Sequence, residues 1–458
     1  MVCSVRSDSS ACDSTLHMIH GDSQVTASIP PNITGHWVSS SCEVRPGPEF
    51  LTRSYRFFPN HTFTALQFYY QDSGCSRPFF SVCVEGRVRV LQASWRVPGA
   101  AAGEYQLTRV QLLCTDTHAA ELLRPRLHAA CGSTALRPGH LFLLWAADGP
   151  DCTRALHFSM QELLLMRLEL RRRHGDQQEE EEEELFLGDV HTERAQRSLH
   201  QPAGYQSPLL RAKLDVQRCP LCPLLAAADL LHPPVLPAVP AHPLRLQGDW
   251  VSLRCEVRPG VLFLTRRLTF HPQRHTWDGR YTHYSDPACR HPTFSITASG
   301  EYTPGGASAV VPGAHKYTFT VLRMSVTAMD AATASLLSIS RGRACGSQGS
   351  WRPGVPQDVT NTSGCPALGV RLPHTEYELL QAGLHPSGRP LLLNGQRPTG
   401  GSSPDRPHSR PTAFQPPLIH CGTTRSTGGG QMNTWRSGAR RNTHTLTMMM
   451  MIVMKITL

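Results

Sequence analysis

The apolar and polar positions of this chain alternate as they do in β-strands. Phe50-Leu51-Thr52-Arg53-Ser54-Tyr55-Arg56-Phe57-Phe58 breaks at Pro59-Asn60 and resumes as Thr62-Phe63-Thr64-Ala65-Leu66-Gln67-Phe68-Tyr69-Tyr70. Aromatic and β-branched runs joined by a short polar turn predict a hairpin with Asn60 at its exposed tip. Further strands are predicted at 79–86, 87–95 and 105–114, set apart by turn signals at Pro78 and Pro98-Gly99. Many short strands at regular spacing predict a sandwich or a barrel. Short helices are predicted after Asp116 and Asp330, each of which precedes an alanine- and leucine-rich run that an aspartate can cap.

The pattern is written twice. Gly35-His36-Trp37-Val38-Ser39, Cys42-Glu43-Val44-Arg45-Pro46-Gly47 and Phe50-Leu51-Thr52-Arg53 return as Gly248-Asp249-Trp250-Val251-Ser252, Cys255-Glu256-Val257-Arg258-Pro259-Gly260 and Phe263-Leu264-Thr265-Arg266. Val97-Pro98-Gly99-Ala100 answers Val311-Pro312-Gly313-Ala314, Leu185-Phe186-Leu187 answers Leu391-Leu392-Leu393, and Tyr205-Gln206-Ser207-Pro208-Leu209 answers Phe414-Gln415-Pro416-Pro417-Leu418. Self-similarity of this extent predicts two homologous domains. The expected organisation is an extended lead-in over 1–34, a first domain over 35–219, a proline-rich hinge over 220–247, a second domain over 248–421 and a loose tail over 422–458. The proline density of the hinge predicts an extended, semi-rigid spacer.

The repeat also decides an ambiguous stretch. Residues 158–173 are helical on composition, but their counterpart turns through His385-Pro386-Ser387-Gly388, so 158–187 is predicted as a hairpin. Its tip is expanded into Arg171-Arg172-Arg173 and the Glu179 to Glu184 run, read as a solvated loop.

At 458 residues with 40% hydrophobic content, the chain is long enough for two cored domains. The net charge of +10 is scattered, with much of the excess around Arg436 to Arg441. Neither a basic helix nor an aromatic single-strand platform accompanies it, which argues against a nucleic-acid partner. Of fifteen cysteines, Cys42, Cys75, Cys131, Cys152 and Cys219 match Cys255, Cys289, Cys345, Cys365 and Cys421. Thiols at repeated framework positions predict disulfides formed in an oxidising compartment, with the pairing left open. Cys219-Pro220-Leu221-Cys222 has no second pair at zinc spacing and no strand-to-helix context for redox work, so it too reads as disulfide. The sequons at Asn32, Asn60 and Asn361 predict N-glycosylation. The first residues lack the apolar core of a signal peptide, and 448–458 is shorter than the ~20 residues of a membrane-spanning helix.

Gly35-x-Trp37 and Gly248-x-Trp250 resemble the Gly-x-Trp opening of lipocalin barrels, where the tryptophan plugs the closed end under an arginine. The resemblance implies two antiparallel β-barrels, each with a short helix, closed by Trp37 and Trp250; Arg53 and Arg266, or Arg45 and Arg258, are the covering candidates. The alternative is a pair of sandwiches with core tryptophans. Tyr55, Phe57, Phe68, Tyr70, Phe270, Trp277 and Tyr284 are candidates to line an apolar pocket. The sequence carries no hydrolase elbow, zinc-protease motif or phosphate loop, so an enzyme and a cofactor are not expected.

The repeated Gly-x-Trp-Val-Ser and Cys-Glu-Val-Arg motifs, Tyr284-Ser285-Asp286-Pro287-Ala288-Cys289, the run Met329 to Leu337, Leu372 to Glu378 and Asn394-Gly395-Gln396-Arg397-Pro398 resemble the adenomatosis polyposis coli down-regulated protein family over residues 10–421. The resemblance implies a membrane-anchored cell-surface glycoprotein with two barrel-like domains that antagonises Wnt signalling. Its implied partners are Wnt ligands, through an acyl lipid in an apolar pocket, and their low-density-lipoprotein-receptor-related co-receptor. Three departures stand out: this chain shows neither the family's signal peptide nor its hydrophobic span, and it has Pro150 where the family has a cysteine. Cys3 and Cys83 are additions, and Cys83, inside a strand, is the expected unpaired thiol. The competing expectations are a lipocalin-like carrier of a small hydrophobic molecule and a solid-cored scaffold that binds proteins on its surface.

Overall fold

The computed structural model describes residues 9–20, 25–133, 135–174, 179–213, 219–238, 242–339, 345–346 and 351–422. Cys3, the readings of both chain ends and the tail over 423–458 lie outside these residues. Two eight-stranded antiparallel barrels share one compact unit, Met1–Gly422.

The first barrel is formed by β1 (Gly35–Ser39), β2 (Glu49–Phe57), β3 (Thr62–Tyr70), β4 (Pro78–Ala93), β5 (Ala101–Cys114), β6 (Leu165–His174), β7 (Glu179–Leu187) and β8 (Leu209–Arg211). Each strand pairs with the next and β8 returns to β1, an up-and-down meander without free edges in the ring. The second repeats it with β9 (Gly248–Ser252), β10 (Leu262–His271), β11 (Thr276–Tyr284), β12 (Pro292–Ala307), β13 (His315–Ala328), β14 (His374–Leu384), β15 (Pro390–Asn394) and β16 (Leu418–His420). Here too the last strand pairs with the first, and β9 pairs with β10. The registers match: Ala101 faces Met166 as His315 faces Leu380. Leu185 faces Leu209 as Leu392 faces Leu418, so the counterpart of Leu185 is Leu392, one residue beyond the match read from sequence.

Strand alternation sorts the side chains into two sets. Trp37, Tyr55, Phe57, Phe63, Val84, Leu112 and Leu185 point into the first barrel and form one core. Trp250, Phe270, Trp277, Tyr302 and Phe319 do the same in the second. Phe68 and Tyr70 point outward, and so does Tyr284 in the second barrel, so these three do not line a barrel interior.

The structure changes five sequence expectations. Residues 78–93 form one strand instead of two: Gly86, at the junction of the two predicted strands, is the site of a β-bulge, and a Cβ there would stand 2.8 Å from the Phe63 ring. The helices Thr117–Cys131 and Ala331–Ile339 are capped by Asp116 and Asp330, but the lead-in also holds a helix, Ser9–His20. That helix is ordered by tertiary contacts: buried Cys12 is bonded to Cys421, and Leu16 packs on Val251 and Ile419.

The Glu179–Glu184 run is strand β7, not a loop. Its backbone continues the ladder to β6, while Glu183 pairs with Arg211 and Glu184 with Arg254. The hinge is no free spacer either. Helix Cys222–Ala227 and Leu236 cover the outer face of barrel one, where Tyr70 donates its hydroxyl to the Pro234 carbonyl at 2.7 Å. Finally, the tryptophan is covered by neither expected arginine. Arg211 on β8 lies 3.9 Å over the Trp37 ring, because β8 pairs directly with β1 there, and His420 takes the equivalent place against Trp250.

Candidate functional site

Twin disulfides pin twin segments. Cys42–Cys75 and Cys255–Cys289 anchor the short strands Glu43–Arg45 and Glu256–Arg258, which pair with β2 and β10. Cys131–Cys152 and Cys345–Cys365 repeat in the same way. Cys219 and Cys421, matched in sequence, are not equivalent in the fold: Arg211 and His420 face the two tryptophans, so Cys421 corresponds to Ala212, and the partners differ as well, Cys222 for Cys219 and Cys12 for Cys421. Cys83 and Cys114 are free, and burial raises both thiols to about 11. Asn32, Asn60 and Asn361 are all exposed.

Each pinned segment is tied inward by a buried arginine. Arg53 pairs with Glu43 at 2.8 Å, Ser39 donates to the same carboxylate, and Arg53 also donates to the Ser207 carbonyl at 2.7 Å. Arg266 meets Glu256 at 2.7 Å, Ser252 joins them, and Arg266 donates to the Pro416 carbonyl at 2.6 Å. In each barrel one guanidinium therefore fixes the Cys-Glu-Val-Arg-Pro segment and the Gln-containing stretch before the last strand.

The barrels pack face to face with approximate two-fold symmetry. Val97, Ala100 and Leu165 of the first meet Val257 and Val261 of the second. Their counterparts Val311, Ala314 and Leu379 meet Val44 of the first. Between these contacts lies a cavity of about 290 Å³ lined by both pinned segments, by Tyr205 to Pro208 and by Phe414 to Pro417. Val44, Phe186, Val257, Leu393 and Phe414 make much of its wall apolar. None of the seven pocket candidates named from sequence lies there: Tyr55, Phe57, Phe270 and Trp277 pack inside the barrels, and the other three lie on outer faces.

Symmetry breaks in the polar groups. Arg254 makes two bonds of 2.9 Å to Glu184 across the seam, whereas its counterpart is Ser41. The Tyr205 hydroxyl, Gln415 Oε1 and Asp189 Oδ2 are buried at the cavity without a hydrogen-bond partner among the described residues.

Behind one wall, Glu162 accepts from Arg45 at 2.7 Å, from Gln206 at 2.8 Å and from the Tyr55 hydroxyl. Burial alone raises its carboxyl, but Arg45 and Arg53 outweigh this and hold it below the usual range. Glu256 is held low against burial by Arg266 and Arg258. Behind the other wall Glu376 is paired with Arg397 at 2.7 Å, and the buried acid Glu378 stands beside it. Burial and then the Glu376 charge push Glu378 well above the usual carboxyl range. A raised folded value supplies stability that is complete below the unfolded value and is lost as pH climbs through the folded one. Glu378→Gln, which stays neutral and can still accept from the Gly395 N–H at 3.2 Å, is therefore expected to gain in melting temperature over the wild type as pH rises. Melting curves between about pH 5 and 9 check this; parallel pH profiles would refute it.

One family model matches this chain twice, over residues 11–237 and 238–427, under the description adenomatosis polyposis coli down-regulated 1. The chain belongs to that family. The two matched segments each hold one of the barrels, so the family unit is the barrel with its flanking disulfides, and this member carries two.

Sequence reasoning found the segments that line the cavity, because they are the most closely repeated words in the chain. It missed Glu162, and it met Glu376 and Arg397 only inside family motifs, with no place at a site. No motif surrounds Glu162, and its only sequence signal is that it falls 214 residues before Glu376, as Trp277 falls after Phe63.

Proposed function

We propose that this protein is a non-enzymatic antagonist of Wnt signalling that takes the acyl chain of the ligand into the cavity between its barrels. The observation that carries the reading is the cavity walled by both repeats, with an apolar wall at Val44, Phe186, Val257, Leu393 and Phe414 among charged and polar neighbours. Family membership supports the pathway, and six disulfides with three exposed sequons fit an oxidising, extracellular setting. Each methylene moved from water to such a wall contributes about 0.8 kcal/mol, enough for a few buried carbons to dominate recognition. Sequestering that chain lowers engagement of the receptor and its low-density-lipoprotein-receptor-related co-receptor. Among the described residues no helix is long and apolar enough to cross a membrane, and the proposal needs none.

Binding of acylated and de-acylated Wnt to immobilised protein tests the reading. The acylated form is expected to bind at least about tenfold more tightly, and Val257→Phe, which narrows the cavity, removes the difference. Equal affinity for the two forms refutes the lipid mechanism. A second reading, a carrier of a small amphipathic molecule, draws on the Tyr205 hydroxyl and Gln415 carbonyl, unpartnered among the described residues, since polar anchors in an apolar wall orient such ligands. Native mass spectrometry of protein from secreting cells separates the two by the mass retained.

A further inference from the structure

The same outer face has opposite chemistry in the two barrels. In barrel one Leu66 stands opposite Ser54, Phe68 is buried beside it, and the segment around Leu225 and Leu236 covers both. In barrel two the equivalent pair is Arg280 opposite Arg267, and Thr282 replaces Phe68. Two adjoining depressions open on this face, sharing Arg267 and Arg280; Arg290 edges one and Arg323 the other. The ladder continues from Arg280 to Thr297 and from Thr297 to Ser325, so a row of hydroxyls runs away from the paired guanidiniums.

Like charges placed directly opposite on neighbouring strands destabilise a sheet. Arg267 is partly neutralised by Asp13 at 3.3 Å and Asp249 at 3.6 Å. Arg280, Arg290 and Arg323 form no ion pair among the described residues: Arg280 reaches only the Ser295 hydroxyl, at 3.2 Å. Of the other acids on the face, Asp278 pairs with His271 at 2.9 Å, while Asp358 accepts from the Thr360 N–H at 2.7 Å and offsets part of the Arg323 charge, which leaves the arginines in excess.

We propose that this arginine- and hydroxyl-lined face of barrel two binds a sulfated polysaccharide chain. Planar guanidiniums with neighbouring hydroxyl donors suit the oxygens of closely spaced sulfates. The depression bearing Arg323 has no aromatic lining on which a nucleic-acid base could stack. No exposed large apolar side chain lines either depression, so nothing there inserts into a bilayer. The six disulfides place the protein where sulfated chains occur, outside the reducing cytosol.

The test uses the full chain on immobilised heparin. Wild type is expected to be retained at about 0.15 M salt. Arg280→Gln/Arg290→Gln/Arg323→Gln loses at least about tenfold in affinity, and its salt dependence becomes shallower by roughly one released counterion per arginine. A control removes the same charge from exposed sites of barrel one, Arg87→Gln/Arg89→Gln/Arg126→Gln, and loses less than about twofold. Arg323→Gln alone, on an exposed side chain, moves in the direction of the triple variant and guards against a folding defect. Wild type that fails to bind, or triple variants that elute together, overturns the proposal. So does competition by desulfated heparin, duplex DNA or phosphatidylserine vesicles as effective as that by heparin.

Discussion

Arg53→Met is expected to lower the free energy of unfolding by about 3–5 kcal/mol, the cost of leaving one partner of a buried ion pair behind. Arg53 is fully buried and Glu43 nearly so; without the guanidinium, the Glu43 carboxylate keeps the Ser39 hydroxyl but no opposing charge from this pair. The Ser207 carbonyl loses its donor in the same step, so the wall from Tyr205 to Pro208 loosens as well. Replacing both partners, Arg53→Met with Glu43→Leu, is expected to recover most of the loss, since no charge is then stranded. Urea unfolding followed by tryptophan fluorescence measures all three proteins. A single-variant loss below about 1 kcal/mol would mean that water reaches Glu43, contrary to the burial described.

The second large effect is expected from the bond that joins the start of the folded unit to its end. Cys12 and Cys421 are separated by 409 residues, and both are buried with Val251 and Ile419. Cys12→Ser with Cys421→Ser is expected to cost about 2–5 kcal/mol, chiefly by freeing the unfolded chain. The helix Ser9–His20 then keeps the packing of Leu16, Ile19 and buried Thr15 and the Asp13–Arg267 pair, which is half-exposed and contributes little. Proteolysis is therefore expected to cut first within the leading 25 or so residues, before either barrel is attacked. An unchanged denaturation midpoint with an intact leading helix would show that packing alone holds it.

The fold was legible because closing a barrel needs little beyond period-two alternation and turns, and the chain states both twice. Alternation left barrel and sandwich open and the Gly-x-Trp resemblance favoured the barrel; Tyr55, Phe57, Phe270 and Trp277, named as pocket candidates, instead pack with Trp37 and Trp250 as solid core. The outward face was not legible. Phe68 and Tyr70 are as apolar as their inward neighbours, and only the packed hinge, distant in sequence, explains why they point away. Residue type likewise misread the Glu179–Glu184 run, since a row of acids in a strand is tolerable only where Arg211 and Arg254, far along the chain, come to meet it. The arginines of barrel two look scattered as 267, 280, 290 and 323, and strand pairing is what gathers them. The cavity belongs to neither repeat alone, so reading one repeat at a time sent the search for a pocket to the wrong side of each sheet.

The clasp between Cys12 and Cys421 has a topological consequence. It turns the two-barrel body into a covalent loop, with the connection between barrels as one arc and the clasp as the other. A cut in the stretch between Leu236 and Gly248 does not release either half: the pieces stay tethered until a reductant opens the clasp. One cut in the hinge is therefore not enough to shed a barrel: covalent release takes either reduction of the clasp or a second cut, between Cys12 and Gly35.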